Sequence, residues 1–241
     1  MTGFLVALGF LTRLPVPRAA SGEAAALASA APWLPAVGAL VGLLVAVAVA
    51  LGAVVTPWIG ALFGLLAWVL VTGGLHIDGL GDVADALGAA HGNRNRFVAV
   101  ARDPHLGSFG AIAIALQLMA KLIVLAALAE RATFPELAGG LVLAAAWARW
   151  ATLVLGRAVP PLTEGMGSRL AAGIATRTVV LEGAALALIS LLVAPVLLVA
   201  LLLALASALY WHVRLGGVTG DCHGASIEIT ESLLLLALVA A

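Results

Sequence analysis

Four side chains able to do chemistry fall within ten residues: His76, Asp78, Asp82 and Asp85, in the stretch GGLHIDGLGDVAD at Gly73–Asp85. If this stretch is helical, the aspartates at i, i+4 and i+7 share an arc of roughly 60°. Like charges at that spacing repel and weaken a helix, so the face calls for a counter-charge. Hard carboxylate oxygens suit Mg²⁺ or Ca²⁺. A solvated acidic helix end is the bland alternative, and it does not explain why a chain with so few charges gathers three on one face. Gly73, Gly74, Gly79 and Gly81 punctuate the stretch, each weakening a helix by about 1 kcal/mol relative to alanine. They point to close approach of a ligand or another backbone, or equally to small-residue helix packing in lipid.

Three further constellations follow. In RDPHLGSFG (Arg102–Gly110), Arg102 and His105 precede a Ser/Gly turn at a helix start, the makings of a phosphate cradle. Arg94 and Arg96 add charge nearby, and basic residues seated at anionic lipid are the alternative. GMGSRLAAGIATR (Gly165–Arg177) offers Ser168, Arg169, Thr176 and Arg177 as phosphate donors, a weak signal alone. In GGVTGDCHGASIEITE (Gly216–Glu231), Asp221 and His223 sit in a glycine-rich turn, while Glu228 and Glu231 lie at i, i+3 on a helix entering the membrane. Ionisable groups inside a membrane mark function by default; capping near a helix's positive end is the rival explanation. Lys121 and Arg149 fall within apolar segments. Each is therefore expected to face the bundle interior and meet a carboxylate, Glu182 among them, or a substrate phosphate. His91 and His212 are expected to be interfacial or structural.

The elements that must position these groups are membrane helices. The chain is 63% hydrophobic and 10% charged, against about 25% charged in soluble domains. The expected fold is therefore all-α: a polytopic membrane bundle forming one catalytic domain over residues 1–241. A net charge of zero excludes nucleic acid as main partner, since phosphate backbones demand a basic face. One cysteine, Cys222, excludes a disulfide framework and a cysteine metal cluster. No cleavable signal is expected, because the apolar start Gly3–Leu11 lacks a basic segment before it.

Phe4–Leu14 is too short to span and, ending at Pro15 and Pro17, is expected to be an interfacial or re-entrant helix. A small-residue linker or short helix at Ser21–Ala31 follows. Seven spans are then expected: Trp33–Val55, Trp58–Leu75, Phe109–Ala129, Pro135–Leu155, Val179–Val193, Val196–His212, and a last helix running to Ala241. That last helix is long enough only if it includes Ile227–Ser232. This topology gathers Arg13, Arg18, Arg94, Arg96, Arg102, Arg157, Arg169, Arg177 and Arg214 on one side and leaves Arg131 on the other. The positive-inside rule makes the arginine-rich side cytoplasmic, and the acidic constellations lie on it. Carboxylates, a divalent metal and arginines together suit phosphoryl or nucleotidyl transfer.

FLTRLPVP (Phe10–Pro17), TGGLHIDGLGDVADAL (Thr72–Leu87), RDPHLGSFGAIA (Arg102–Ala113) and GGVTGDCHGASIEITE (Gly216–Glu231) resemble, in order, the cobalamin synthase family, the adenosylcobinamide-GDP ribazoletransferases. The resemblance implies an inner-membrane, Mg²⁺-dependent enzyme. It would transfer adenosylcobinamide phosphate from adenosylcobinamide-GDP to α-ribazole or its 5′-phosphate, releasing GMP. On that view Asp78, Asp82, Asp85 and Glu228 hold Mg²⁺, while Arg102, Lys121, Ser168, Arg169, Asp221 and Glu231 bind phosphates or the acceptor. His76 is the first candidate for general base and His105 the second, with Asp82 indispensable. The pair Cys222-His223 departs from the family pattern and takes no role from it. The resemblance leaves room for a homo-oligomer and for contacts with other cobamide-assembly enzymes. Two rivals remain: a CDP-alcohol phosphotransferase-like lipid enzyme, whose longer aspartate spacing is missing, and a Mg²⁺- or proton-coupled transporter, for which no inverted repeat is evident.

Overall fold

In a computed structural model of the chain, residues 2–17 and 24–241 are described; Arg18 and the start of the Ser21–Ala31 linker lie outside the described residues. The helices are α1 (Thr2–Leu11), α2 (Ala24–Ala30), α3 (Leu34–Ala53), α4 (Pro57–Thr72), α5 (Leu75–Ala90), α6 (Arg94–Val100), α7 (Ser108–Arg131), α8 (Phe134–Ala158), α9 (Met166–Ala171), α10 (Thr176–Val193), α11 (Ala200–Leu215) and α12 (Gly220–Ala240). Among the described residues there is no strand; one isolated β-bridge joins Pro161 and Val218. The all-α expectation holds.

Among the described residues six helices are long and apolar enough to cross a membrane, and the α4–α5 pair, bent by 85°, makes a seventh if taken as one span. The expected spans match these helices closely. Correspondingly, α1 is a ten-residue helix that stops before the prolines. The last helix needs no special pleading: α12 starts at Gly220, where the Thr219 hydroxyl accepts the Cys222 amide hydrogen at 3.3 Å. This corrects one expectation. Asp221 and His223 lie in the first turn of α12 and not in a glycine-rich loop, because Thr219 is a good N-cap.

The bundle is built around α8, whose face from Leu137 to Leu155 is almost wholly buried. Helix α3 packs closely on it through Gly38 and Gly42, where any β-carbon would run into the α8 carbonyls of Ala145 and Leu141. Small residues let backbones approach in a setting where lipid removes the hydrophobic drive between helices. On the outside, Leu188, Leu192, Leu202 and Leu205 of α10 and α11 are exposed, as lipid-facing positions should be.

One turn determines where the chemistry sits. Helix α4 ends at Gly73 (φ +63°) and Gly74 (φ +72°), two consecutive left-handed residues that only glycine adopts cheaply. They turn the chain through 85°, so α5 leaves at a steep angle to α4, beyond the expected span Trp58–Leu75. The Arg13 amide, donating to the Val71 carbonyl at 2.7 Å, ties the end of α1 to the same corner.

Candidate active site

Helix α5 meets the start of α12 at a glycine crossing. A β-carbon on Gly79 would lie 3.1 Å from Cα of Asp221, and one on Gly224 would lie 3.3 Å from Cα of His76. Gly79 and Gly224 thus set the His76–Gly79 turn directly against the Asp221–Gly224 turn, so the glycines here serve helix approach. The aspartate face forms as expected, and the crossing adds Asp221 to it. Asp78 is exposed, while Asp82 and Asp221 are half-buried. No cation pairs with any of the three among the described residues. Burial, then the negative charges of Asp78, Asp221 and Asp85, push the Asp82 carboxyl up to about 6.

Asp85 does something else. Its two oxygens accept the amide hydrogens of Gly107 (2.7 Å) and Gly110 (2.8 Å). It therefore caps the N-terminus of α7 from another helix and holds the 101–107 loop. The amides expected to cradle a phosphate there are already engaged by this carboxylate. In the same loop His105 is exposed, with its ring Nδ1 2.6 Å from Asp103. Asp103 also accepts the His105 amide hydrogen at 3.0 Å; that backbone bond, then the side-chain bond, holds its carboxyl below the ordinary range. Arg102 is exposed in the loop and Arg169 exposed on α9.

Lys121, Glu228 and Glu231 are brought together, but away from the aspartates. The Lys121 ammonium lies 2.7 Å from Glu228 and 2.5 Å from Glu231, and 4.2 Å from the Trp68 ring centroid. Arg149 pairs with the other Glu231 oxygen. Gln117 donates to the Glu228 carboxylate at 2.9 Å and to Ser232 at 2.8 Å. All are buried, so two cations and two carboxylates neutralise each other inside the bundle. Lys121 thus faces the interior and meets carboxylates, the first of its two expected kinds of partner, which leaves its charge spent and not free for a substrate phosphate. Glu228 and Glu231 are likewise committed to cations, and they, not Glu182, are the partners of Lys121 and Arg149.

From this core the chain of contacts reaches a cavity. Arg149 approaches Nδ1 of His76 at 3.5 Å, and both residues line a space of ≈ 210 Å³ bordered by α1, α3, α5, α8, α9 and α12. Leu34, Leu170 and Ile227 furnish apolar wall; Ser168, Asp221 and His223 are on its lining too. Ser168 exchanges hydrogen bonds with the Gly165 amide and carbonyl at 3.0 and 2.9 Å. Backbone bonds from Leu162 to Val218 (2.8 Å) and from Val218 to Pro160 (2.9 Å) fasten the segment leading to α9 beside the start of α12. Sequence reasoning singled out His223 beside Asp221 but gave it no role, and it missed Gly156, which nothing local marks; the intramembrane charge of Arg149 did signal the site.

The residues fit a magnesium ion. Among the described residues no three His, Cys, Asp or Glu side chains converge to cage a metal. Mg²⁺ does not need such a cage, because it binds through one or two carboxylates together with substrate phosphates. Asp78, Asp82 and Asp221, mutually repelling and without cations, are that kind of donor set.

The chain matches the family described as cobalamin-5-phosphate synthase over residues 3–239. Curated relatives agree along nearly their full length. It is 47% identical to the adenosylcobinamide-GDP ribazoletransferase of Thiobacillus denitrificans, covering 98% of this chain and 94% of that one. The protein of the same name from Novosphingobium aromaticivorans is 46% identical, with 98% and 95% covered. That from Laribacter hongkongensis is 49% identical, with 100% and 98% covered. No solved structure matches the chain significantly. Family match and near-complete coverage agree with the four ordered motifs: this chain belongs to the cobalamin-5-phosphate synthase family.

Proposed function

We propose that this chain transfers the adenosylcobinamide-phosphate moiety of adenosylcobinamide-GDP to α-ribazole or its 5′-phosphate, giving adenosylcobalamin or its phosphate and GMP. The observation that carries this reading is the crossing of α5 and α12. There Asp78, Asp82 and Asp221, none paired with a cation, repel one another, and Asp221 also lines the cavity that His76 lines. An acceptor hydroxyl attacks the phosphorus on the corrinoid side, the bond to the GMP oxygen breaks, and the hydroxyl proton passes to a base. One of these carboxylates is that base, and not His76, because Arg149 can only donate: Nδ1 of His76 accepts from it, so the unpartnered Nε2 carries the ring hydrogen and donates to a substrate oxygen. Arg149, itself fixed by Glu231, orients the ring.

Asp78, Asp82 and Asp221 would hold Mg²⁺. Bound there, the ion would neutralise pyrophosphate oxygens and the charge developing on leaving GMP. The metal set is thereby narrower than Asp78, Asp82, Asp85 and Glu228, since Asp85 caps α7 and Glu228 pairs with Lys121. Exposed Arg102 and Arg169 remain available to donor phosphates. The asymmetry of arginines supports a cytoplasmic location for this face and insertion in the inner membrane. Purified protein given both substrates and Mg²⁺ is expected to release GMP and cobalamin one for one, and chelation is expected to stop it. Turnover that persists after exhaustive chelation would remove the metal from this reading.

A further inference from the structure

We propose that the cavity between α1, α3, α5, α8, α9 and α12 seats the acceptor nucleoside, its flat base against Leu34, Leu170 and Ile227 and its polar groups toward His76 and His223. This rests on the transfer reading and adds which substrate occupies which part of the site. Size argues first. A space of ≈ 210 Å³ is small beside the roughly 300–1,000 Å³ common for ligand pockets, so a single base with its sugar suits its scale better than a corrinoid macrocycle.

Chemistry then separates the two nucleosides of the reaction. The guanine of the donor carries donors and acceptors around its edge, and largely apolar walls would strip water from them without replacement. The alkylated benzimidazole of ribazole has an apolar edge and loses nothing there. Two orphaned atoms strengthen the assignment: Nδ1 of His223 and Nε2 of His76 are buried without hydrogen-bond partners, and both residues line this cavity. Buried polar groups are rarely left so, and ribose hydroxyls can satisfy them. Position completes the case. Asp221 belongs both to the cavity lining and to the carboxylate cluster, so a nucleoside seated here presents its sugar to the transfer centre.

Gly156 provides the test. A β-carbon there would meet Ile174 at 3.0 Å and His223 at 3.4 Å, so a longer side chain must enter the cavity. Gly156→Leu is expected to raise the KM for α-ribazole by roughly tenfold or more while leaving the KM for adenosylcobinamide-GDP unchanged. In parallel, a photoreactive azidobenzimidazole riboside should label wild-type peptides carrying Leu170 or Ile227, and α-ribazole should compete it away. An unchanged α-ribazole KM in a folded, active variant would overturn the assignment, as would a rise confined to the donor or labelling elsewhere. If Gly156→Leu fails to fold, the labelling decides. Wild-type protein that makes no GMP refutes the transfer reading instead, and the labelling still judges the cavity.

Discussion

At the scale of single residues, the four capable side chains of the acidic stretch divide their labour by what already touches them. Asp85 is spent on two amides, His76 turns inward beside Arg149, and Asp78 and Asp82 stay uncommitted. Asp82→Asn is therefore expected to lower turnover by about 10²–10³, the usual cost of losing one electrostatic stabiliser, with the protein still folded. Its stability should move the other way. The Asp82 carboxyl is raised from 3.8 to about 6, so the folded state binds the proton more tightly than the unfolded state. Stability is then highest below about pH 4 and falls as pH rises toward 6. Metal-free Asp82→Asn in detergent should melt higher than wild type at pH 7 and equally at pH 4, and scanning calorimetry reads the difference. Wild-type turnover should fall as pH drops through about 6. The buried cluster behaves differently. Glu231→Gln strands the Arg149 charge and leaves Lys121 with Glu228 alone, and it is expected to cost about 3–5 kcal/mol, seen as lost yield of folded protein. None of these pairings was legible beforehand, because Lys121 and Glu231 lie 110 positions apart and no local pattern announces such a partner.

At the scale of elements, helices were easy to foresee and their meetings were not. Long apolar runs bounded by Thr56-Pro57 and Ala194-Pro195 revealed the spans. The 85° turn at Gly73-Gly74 and the crossing of α5 with α12 depend on tertiary contacts. Glycines at 73, 74 and 79 signalled that something close was coming without saying whether it was a ligand or a helix. Gly79→Val should separate α5 from α12, since its β-carbon would press on the Asp221 backbone. Activity should fall sharply, and a crosslink engineered between the two helices should form less readily. Asp85→Ala removes the acceptor for two amides and is expected to cost about 1–3 kcal/mol. Hydrogen exchange at Gly107 and Gly110 should quicken, with the metal-dependent chemistry impaired less than in Asp82→Asn.

At the scale of the whole molecule, composition made the membrane bundle evident, and the arginine asymmetry predicts its direction. With the buried Cys222 replaced by serine, single cysteines placed in the 101–107 loop should resist an impermeant thiol reagent in intact cells, and one near Arg131 should react. The same architecture tells against a transport path. Glu228 and Glu231 are neutralised inside the bundle by Lys121 and Arg149, while Asp78, Asp82 and Asp221 gather beside the cavity. A bundle that keeps these interior charges neutralised and its uncommitted acids beside a cavity is suited to chemistry on a phosphate. The most direct measurement follows the phosphorus. Adenosylcobinamide-GDP labelled in the corrinoid-side phosphate, incubated with purified protein, α-ribazole and Mg²⁺, should yield labelled cobalamin and unlabelled GMP, and Asp82→Asn should yield neither. Label recovered in the released nucleotide, or full turnover by Asp82→Asn, would contradict transfer at this carboxylate centre.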